Sequence, residues 1–405
     1  MLLSESALFR VLRDLVTNEL PHTHATDATP LDSAAWTLAT ALDGDRVGAD
    51  SLDLTTLATA VNERFRIHEV GIEDFLLRYR TLGDWVGVVR EALKEGTSGI
   101  GFRTSGTTGP AKLITHPWEA MEAELQALVH LFPEVRRVVA LAPAHHIYGF
   151  LYTAALPDRW GVPVLDGEAA WATAHSDLQA GDLVVTFPER WRYLASVHER
   201  FPAGVRGVCS TAPLPEAVFQ TLLERGLHSL LEVYGATETG GVGYRTRPGD
   251  SYTLLAHWNP GPDGGLLRDR GTEGAAEARP MDHLRWTGAR TFIPEGRADG
   301  AVQVGGTNVH PGEIARRLRE HAWVAEATVR PMAPEEGQRL KAHIVLTGDA
   351  PGEETARPEL QRWIDGELPA PQRPRLLTFA TRTAPEPTEP SPHPPREAPS
   401  GAPAR

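Results

Sequence analysis

Hydroxyls, glycines and one lysine are strung together in Thr104-Ser105-Gly106-Thr107-Thr108-Gly109-Pro110-Ala111-Lys112. Such a loop suits a polyphosphate: backbone N–H groups and hydroxyls ring the oxygens while the ammonium offsets their charge. The spacing is not that of a P-loop, and Gly99-Ile100-Gly101 lacks the third glycine of a dinucleotide fingerprint. Taken alone, the stretch also reads as a plain Ser/Thr/Gly turn. Lysine occurs only at Lys94, Lys112 and Lys341, so Lys112 carries unusual weight. A second stretch, Tyr234-Gly235-Ala236-Thr237-Glu238-Thr239-Gly240, sets a carboxylate between two threonines, with a solvated loop as its bland alternative. His145 and His146 form a pair that by itself reads as loop or core histidines.

These residues need elements to hold them. Residues 99–102 read as a short strand ahead of the loop. Apolar runs at residues 138–142, 162–165, 183–186 and 207–210 read as buried strands, and residues 118–132, 191–201 and 215–225 carry the helical period between them. Alternation of this kind implies an α/β layered domain. Upstream, residues 7–16 place apolar side chains at three and four spacing, as an amphipathic helix does. Leu57, Ala58, Val61 and Phe65 mark a second helix, for which Asp50 or Ser51 is a natural N-cap. Downstream, residues 301–304, 326–330 and 342–346 read as strands and Pro311 opens a helix, giving a small α+β lobe.

With 405 residues, the chain holds roughly two or three domains, and 41% hydrophobic residues suffice for real cores. A net charge of -13 excludes a general nucleic-acid binder, which needs clustered Lys and Arg to neutralise phosphates. One cysteine, Cys209, excludes an internal disulfide and a cysteine-built zinc site, and fits a cytoplasmic location. No apolar run reaches membrane-spanning length and residues 1–20 lack a signal-peptide core, so no membrane association is expected.

The first hundred residues resemble an acyl carrier protein. The likeness rests on Gly48-Ala49-Asp50-Ser51-Leu52-Asp53 with Leu57, on Phe65-Arg66-Ile67 leaving that helix, on Ile72-Glu73-Asp74, and on Thr81-Leu82-Gly83-Asp84-Trp85-Val86 opening the last helix. The resemblance implies an all-α four-helix carrier domain over residues 1–96, with Ser51 carrying a 4'-phosphopantetheine arm installed by a phosphopantetheinyl transferase. A hydroxyl at a helix N-terminus suits the phosphodiester, because the helix dipole favours negative charge there. The loop over residues 21–43 is longer than that family's.

The rest of the chain resembles the adenylate-forming superfamily, which includes acyl- and aryl-CoA synthetases. The loop of residues 104–112, Pro143-Ala144-His145-His146-Ile147-Tyr148-Gly149, Ser210-Thr211-Ala212-Pro213-Leu214, the Tyr234 to Gly240 stretch and Gly296-Arg297-Ala298-Asp299-Gly300 occur in that superfamily's order. The resemblance implies that ATP and a carboxylic acid give an acyl-adenylate, with Thr104, Ser105, Gly106, Thr107, Thr108, Gly109 and Lys112 around the leaving pyrophosphate. Thr237 would face the α-phosphate and Glu238 would hold Mg2+, a hard ion suited to one carboxylate plus phosphate oxygens. Tyr234 and Gly235 would lie against adenine, with Ser210, Thr211, Ala212 and Pro213 on its other side. Asp282, reached by counting back from Gly296, would take the ribose and Arg297 would add a ribose or phosphate contact. His146, Tyr148, Gly240 and Gly241 would line the acid pocket, and Asp299 would be the hinge of the mobile lobe. Charge growing on the α-phosphate makes such catalysis mainly electrostatic clamping and positioning.

Two departures stand out. The superfamily's C-terminal Gly-Lys motif corresponds to Thr381-Arg382-Thr383-Ala384-Pro385-Glu386, which has no lysine, and the remainder to Arg405 is a Pro-rich tail expected to be disordered. The segment ahead of the phosphate loop is also short, which leaves room for a homodimer partner to complete the pocket. The expected organisation is a carrier domain (1–96), an α/β layered adenylation core (97–296), an α+β C-terminal lobe (297–380) and a tail (381–405). Thr237-Glu238-Thr239-Gly240-Gly241 before an aromatic and an arginine resembles the acid-activating ligases of aryl polyene and xanthomonadin pathways, implying a small hydroxybenzoate-like acid. The acceptor would be the arm on Ser51 or a separate carrier protein, with free coenzyme A as the alternative. A carrier and binding module with degenerate adenylation is the reading from another class.

Overall fold

The computed structural model describes residues 2–20, 33–104, 112–269, 275–297, 300–304, 307–332 and 339–380. Four helices come first: α1 (Glu5–Glu19), α2 (Ser51–Phe65), α3 (Asp74–Arg78) and α4 (Leu82–Glu95). Three begin at side-chain caps. The Ser4 hydroxyl accepts from the Ala7 amide, and Asp50 with Asp53, then Thr81 with Asp84, form reciprocal capping boxes. Asp50, not Ser51, is thus the N-cap of α2.

A hairpin of β1 (Gly99–Arg103) and β2 (Leu113–Pro117) follows, then α5 (Trp118–Val129), β3 (Arg137–Ala140) and α6 (Ile147–Gly149). The last of these runs through a π-helical stretch, Phe150–Ala155, into α7 (Leu156–Trp160). Strand and helix then alternate: β4 (Val164–Leu165), α8 (Gly167–Ser176), β5 (Asp182–Thr186), α9 (Pro188–Val197), β6 (Arg206–Cys209), α10 (Glu216–Glu224) and β7 (Ser229–Ala236). Beyond β7 come β8 (Gly240–Arg245), β9 (Tyr252–Leu254), β10 (Asn259–Pro260), β11 (Leu266–Asp269), β12 (Ala275–Ala278), β13 (Asp282–Trp286), β14 (Thr291–Arg297), β15 (Val302–Val304) and β16 (Thr307–Val309).

The main sheet has the order β13-β14-β9-β8-β7-β6-β5-β3-β4. From β4 to β7 neighbouring strands are parallel; from β7 to β13 they are antiparallel. Along the parallel half, side chains alternate between two cores. Val138, Ala140, Leu183, Val185 and Val208 face a core shared with Leu8, Val11, Leu12, Val61, Trp85 and Phe150, while Val139, Val184, Cys209 and Leu230 face Ala170, Trp191, Leu194 and Phe219. Helices therefore cover both faces, which is why these strands read as unbroken apolar runs.

The four N-terminal helices exist in the expected order, but they are not the separate body that the carrier resemblance implied. One compact unit runs from residue 1 through Val309, and a second begins at His310. The reason is physical. The apolar stripes of α1, α2 and α4 pack on one another, on β1 and on the Phe150–Ala155 stretch, and run without a break into the core on one face of the main sheet. Polar anchors reinforce this: Arg10 Nε donates to the Thr153 carbonyl at 3.0 Å, the Ala144 amide donates to Asp14 at 2.8 Å, and Arg13 pairs with Asp166 at 3.0 Å. The expected boundary after residue 296 also moves, since the β15–β16 hairpin belongs to the first unit.

The second unit contains α11 (Pro311–Leu318), β17 (Val324–Pro331), β18 (Leu340–Leu346), α12 (Glu353–Glu367) and β19 (Leu376–Ala380), with β18 central in a three-stranded sheet. Lys341 lies on that central strand, opposite Arg330. No helix among the described residues is long and apolar enough to cross a membrane.

Candidate active site

The parallel half of the sheet ends where β7 turns back as β8, and the loops that follow β3, β6 and β7 carry the motif residues. In open α/β sheets such strand ends are where ligands bind. The link from β7 to β8 is a tight turn: Thr239 N donates to the Ala236 carbonyl at 3.3 Å and the Thr239 hydroxyl receives the Ala236 amide at 3.3 Å. Thr237 and Glu238 are its two central residues. Thr239 is buried and anchors the turn, Thr237 is half-buried and Glu238 is exposed. Gly235 has no room for a side chain, because a Cβ there would run into the Gly240 carbonyl across the hairpin.

One wall of the site is Tyr234 with Asp282. The phenol donates to Asp282 Oδ2 at 2.5 Å, and burial followed by this bond raises the Tyr234 pKa well above its ordinary value. Asp282 and Arg297 are cross-strand partners in the β13–β14 ladder, next to a register shift between Asp282 and Leu284. The structure thus brings Tyr234, Asp282 and Arg297 together. At the end of β6, Ser210 is buried with its hydroxyl donating to the Val233 carbonyl at 2.9 Å. Thr211 adopts φ +79°, a conformation L-residues rarely take, and the Gln303 amide donates to its carbonyl. Non-glycine residues held this way cluster at functional sites.

The phosphate-loop residues Ser105, Gly106, Thr107, Thr108 and Gly109 lie outside the described residues, as do the hinge Asp299 and the tail from residue 381. The neck of the loop is described. Thr104 N donates to the Lys112 carbonyl at 2.8 Å and the Lys112 amide donates to Thr104 Oγ1 at 3.0 Å, so these two residues close the neck across from each other.

The expected acid-pocket residues divide. His146 is exposed, with its ring 4.1 Å from that of His145. Burial first, then the neighbouring His146 and Arg64, hold His145 down to about 3, so it is neutral at physiological pH. Tyr148 is buried, its hydroxyl donating between the Thr186 and Val208 carbonyls at 3.1 and 3.2 Å; it is therefore scaffold at the strand ends, with no hydroxyl free for a ligand. Gly240 and Gly241 do not present an open surface on the side facing α5. Side chains at either position would strike the carboxylate of Glu124, which instead accepts the Gly241 amide at 2.7 Å. A cavity of about 380 Å³ lies between α1, the β3 exit and α8, but its charges serve internal partners, with Arg13 held by Asp14 and Asp166 and Arg190 donating to the Leu141 carbonyl. Ser51 is exposed in the first turn of α2, beside exposed Leu52.

Two residues near the turn carry no sequence motif. His116 of β2 is buried and holds the Thr237 carbonyl at 2.7 Å. Glu124 of α5 is buried among Met121, Leu125 and Leu128; its place as one charge inside an apolar helical stripe was the available signal.

The arrangement fits a magnesium nucleotide. Among the described residues no cluster of three His, Cys, Asp or Glu converges. The site offers instead one exposed carboxylate, Glu238, at a turn, which suits an ion that keeps waters and phosphate oxygens as its other ligands.

Residues 102–260 match the family model described as AMP-binding enzyme. A 4-coumarate–CoA ligase of Halorhodospira halophila is 40% identical over 380 residues, 94% of this chain and 96% of the relative. One from Rhodobacter capsulatus is 38% identical over 359 residues, 86% of this chain and 90% of that protein. In fold, the o-succinylbenzoate CoA synthetase of Bacillus subtilis is similar with a TM-score of 0.56 at 15% identity, covering 94% of this chain and 90% of that one. The short segment ahead of the phosphate loop is thus shared with relatives of nearly the same extent. On this similarity the chain belongs to the AMP-binding enzyme family of AMP-forming acid–CoA ligases.

Proposed function

We propose that this ligase activates a small aromatic carboxylic acid bearing a phenolic hydroxyl, and passes the acyl group to the thiol of coenzyme A. The carboxylate attacks the α-phosphate of ATP, pyrophosphate leaves, and the resulting acyl-adenylate is captured by the thiol with release of AMP and a proton. The observation that carries the nucleotide half is the grouping of the Thr237–Glu238 turn with Tyr234, Asp282 and Arg297. Asp282 and Arg297 hold the ribose, and the Tyr234 ring lies against adenine, with the segment Ser210, Thr211, Ala212 and Pro213 on its other side. Thr237 faces the α-phosphate, Lys112 and the loop it closes receive the pyrophosphate, and His146 stands at the acid and thiol passage. Glu238 would hold Mg2+, which when bound supplies charge neutralisation at the phosphate oxygens.

The two near-full-length relatives are 4-coumarate–CoA ligases, which supports an aromatic acid and this acceptor. The sharing of one core between residues 1–96 and the sheet favours CoA over an arm on Ser51. Acid-dependent exchange of labelled pyrophosphate into ATP, across hydroxycinnamates, hydroxybenzoates and alkanoates, tests the first half. Absence of exchange with every aromatic acid would overturn the reading. Ser51→Ala tests the acceptor: full CoA-dependent turnover is expected, and its loss would restore the carrier reading.

A further inference from the structure

The Thr237–Glu238 turn is held from below by groups outside every recognised motif. His116 lies on β2, the strand that leaves the phosphate loop, and is 4% exposed. Its Nε2 sits 2.7 Å from the Thr237 carbonyl. A carbonyl only accepts, so Nε2 carries the proton. The far end of the turn is fixed independently, with Glu124 accepting the Gly241 amide at 2.7 Å and Trp258 Nε1 donating to the Gly241 carbonyl at 2.8 Å. Both His116 and Glu124 belong to the segment that follows Lys112. One stretch of chain therefore closes the phosphate loop and, through His116, grips the turn that presents Thr237 and Glu238.

We propose that His116 is a positioning residue for the adenylation step, setting the Thr237–Glu238 turn relative to the strand that leaves the phosphate loop. The inference rests on the reading of that turn as the α-phosphate and metal site. The geometry gives it a specific form. The half-reaction that uses ATP needs the turn aligned with the metal and the full triphosphate, whereas the acyl-adenylate keeps only the α-phosphate that Thr237 faces and needs no metal, so the first half-reaction should fall further than the second. Positioning of transition-state groups at this level is commonly worth tenfold or more in rate.

The test uses the full chain with His116→Leu, His116→Gln and His116→Asn, and Glu238→Gln as a control. Gln places its amide nitrogen near the position of Nε2, whereas Asn reaches only as far as Nδ1. Expected are a fall of about 30-fold or more in pyrophosphate exchange for His116→Leu and His116→Asn, and less than about fivefold for His116→Gln. CoA capture of synthetic acyl-adenylate without magnesium falls by less than about a third as many fold as pyrophosphate exchange in the Leu and Asn variants, and amide exchange over residues 236–240 quickens in those two while other protected amides hold. If His116→Leu does not fold, the Gln against Asn comparison decides. Equal activity of Gln and Asn, or a parallel fall of both half-reactions, overturns the proposal. Unchanged exchange in Glu238→Gln overturns the reading of the turn, and the proposal with it; a fall there beside unchanged His116 variants overturns the proposal alone.

Discussion

Residues 1–96 and the segment after residue 309 look alike in sequence: short amphipathic elements, capped helices, and a length that suits a small independent body. The structure treats them oppositely. The N-terminal helices merge their apolar stripes into the core of the main unit, and several of their charged side chains are buried against the segments that follow β3 and β4: Arg13 on Asp166, Asp14 on the Ala144 amide, Arg64 Nη2 on the His145 carbonyl at 2.5 Å. The second unit closes its own core, with Ile314, Leu318, Leu340, Ile344, Leu360 and Ile364 buried, and keeps its ion pairs outside. Charges that are buried reveal a partner surface; charges that are solvated do not.

The largest expected effect breaks the comparison at its root. Deleting residues 1–96 should abolish cooperative unfolding, because the core these helices share with β1, the Phe150–Ala155 stretch and the main sheet is opened, and the apolar area exposed outweighs a typical net stability of roughly 5–15 kcal/mol. Ending the chain at Val309 should leave a cooperative transition, followed by circular dichroism on heating. A cooperative transition in the first truncation would show that the helices are dispensable to the sheet.

Next in size is Arg64→Ala. The guanidinium is buried, lies 4.5 Å from the Phe102 ring and caps the His145 carbonyl. Its loss leaves that carbonyl unpaired and opens a cavity, a combination expected to cost about 3 kcal/mol. Urea unfolding should move its midpoint down accordingly, with the slope unchanged.

Glu124 comes third, and its sign depends on pH. Burial raises its pKa from 4.5 to about 7, against the favourable Gly241 amide. The folded chain thus keeps a proton that the unfolded chain releases between these values. Stability from this group is complete below 4.5, declines as pH rises through the interval, and is lost above about 7. At ~1.36 kcal/mol per pH unit the interval corresponds to roughly 3 kcal/mol. Glu124→Gln, which still accepts the Gly241 amide, should match the parent at pH 4 and exceed it in stability at pH 8 by up to that amount. Equal pH profiles would show that Glu124 is not titrating in this range.

These cases show where sequence was legible. The parallel strands announce themselves because burial on both faces leaves runs such as Leu183-Val184-Val185 with no polar alternation. Caps are local, so Asp50 with Asp53 and Thr81 with Asp84 stand out. A helical period tells which face is apolar but not how far the core behind it extends: α1, α2 and α4 pack on one another as a bundle would, yet their core runs on into the main sheet. The site shows the same limit. Counting back from Gly296 picks out Asp282, but its register opposite Arg297 depends on a bulge that no residue type announces. His116 was silent because its partner is a backbone carbonyl 121 residues away.

The smallest effect sharpens the contrast from the other side. In the second unit Arg317 is shared between Glu320 at 2.6 Å and Glu367 at 2.8 Å, and all three side chains are about two-fifths or more exposed. Water already solvates these charges, and holding long side chains in one geometry costs entropy that offsets much of the attraction. Glu320→Gln should therefore change stability by no more than about 0.5 kcal/mol, and salt should shrink even that difference. The decisive measurement is the double-mutant cycle of Arg317 and Glu320 beside the cycle of Arg13 and Asp166. A larger coupling for the buried Arg13 pair is expected. Equal couplings would mean that burial of charge on α1 is not what binds it into the main unit, and that packing of Leu8, Val11 and Leu12 does so alone.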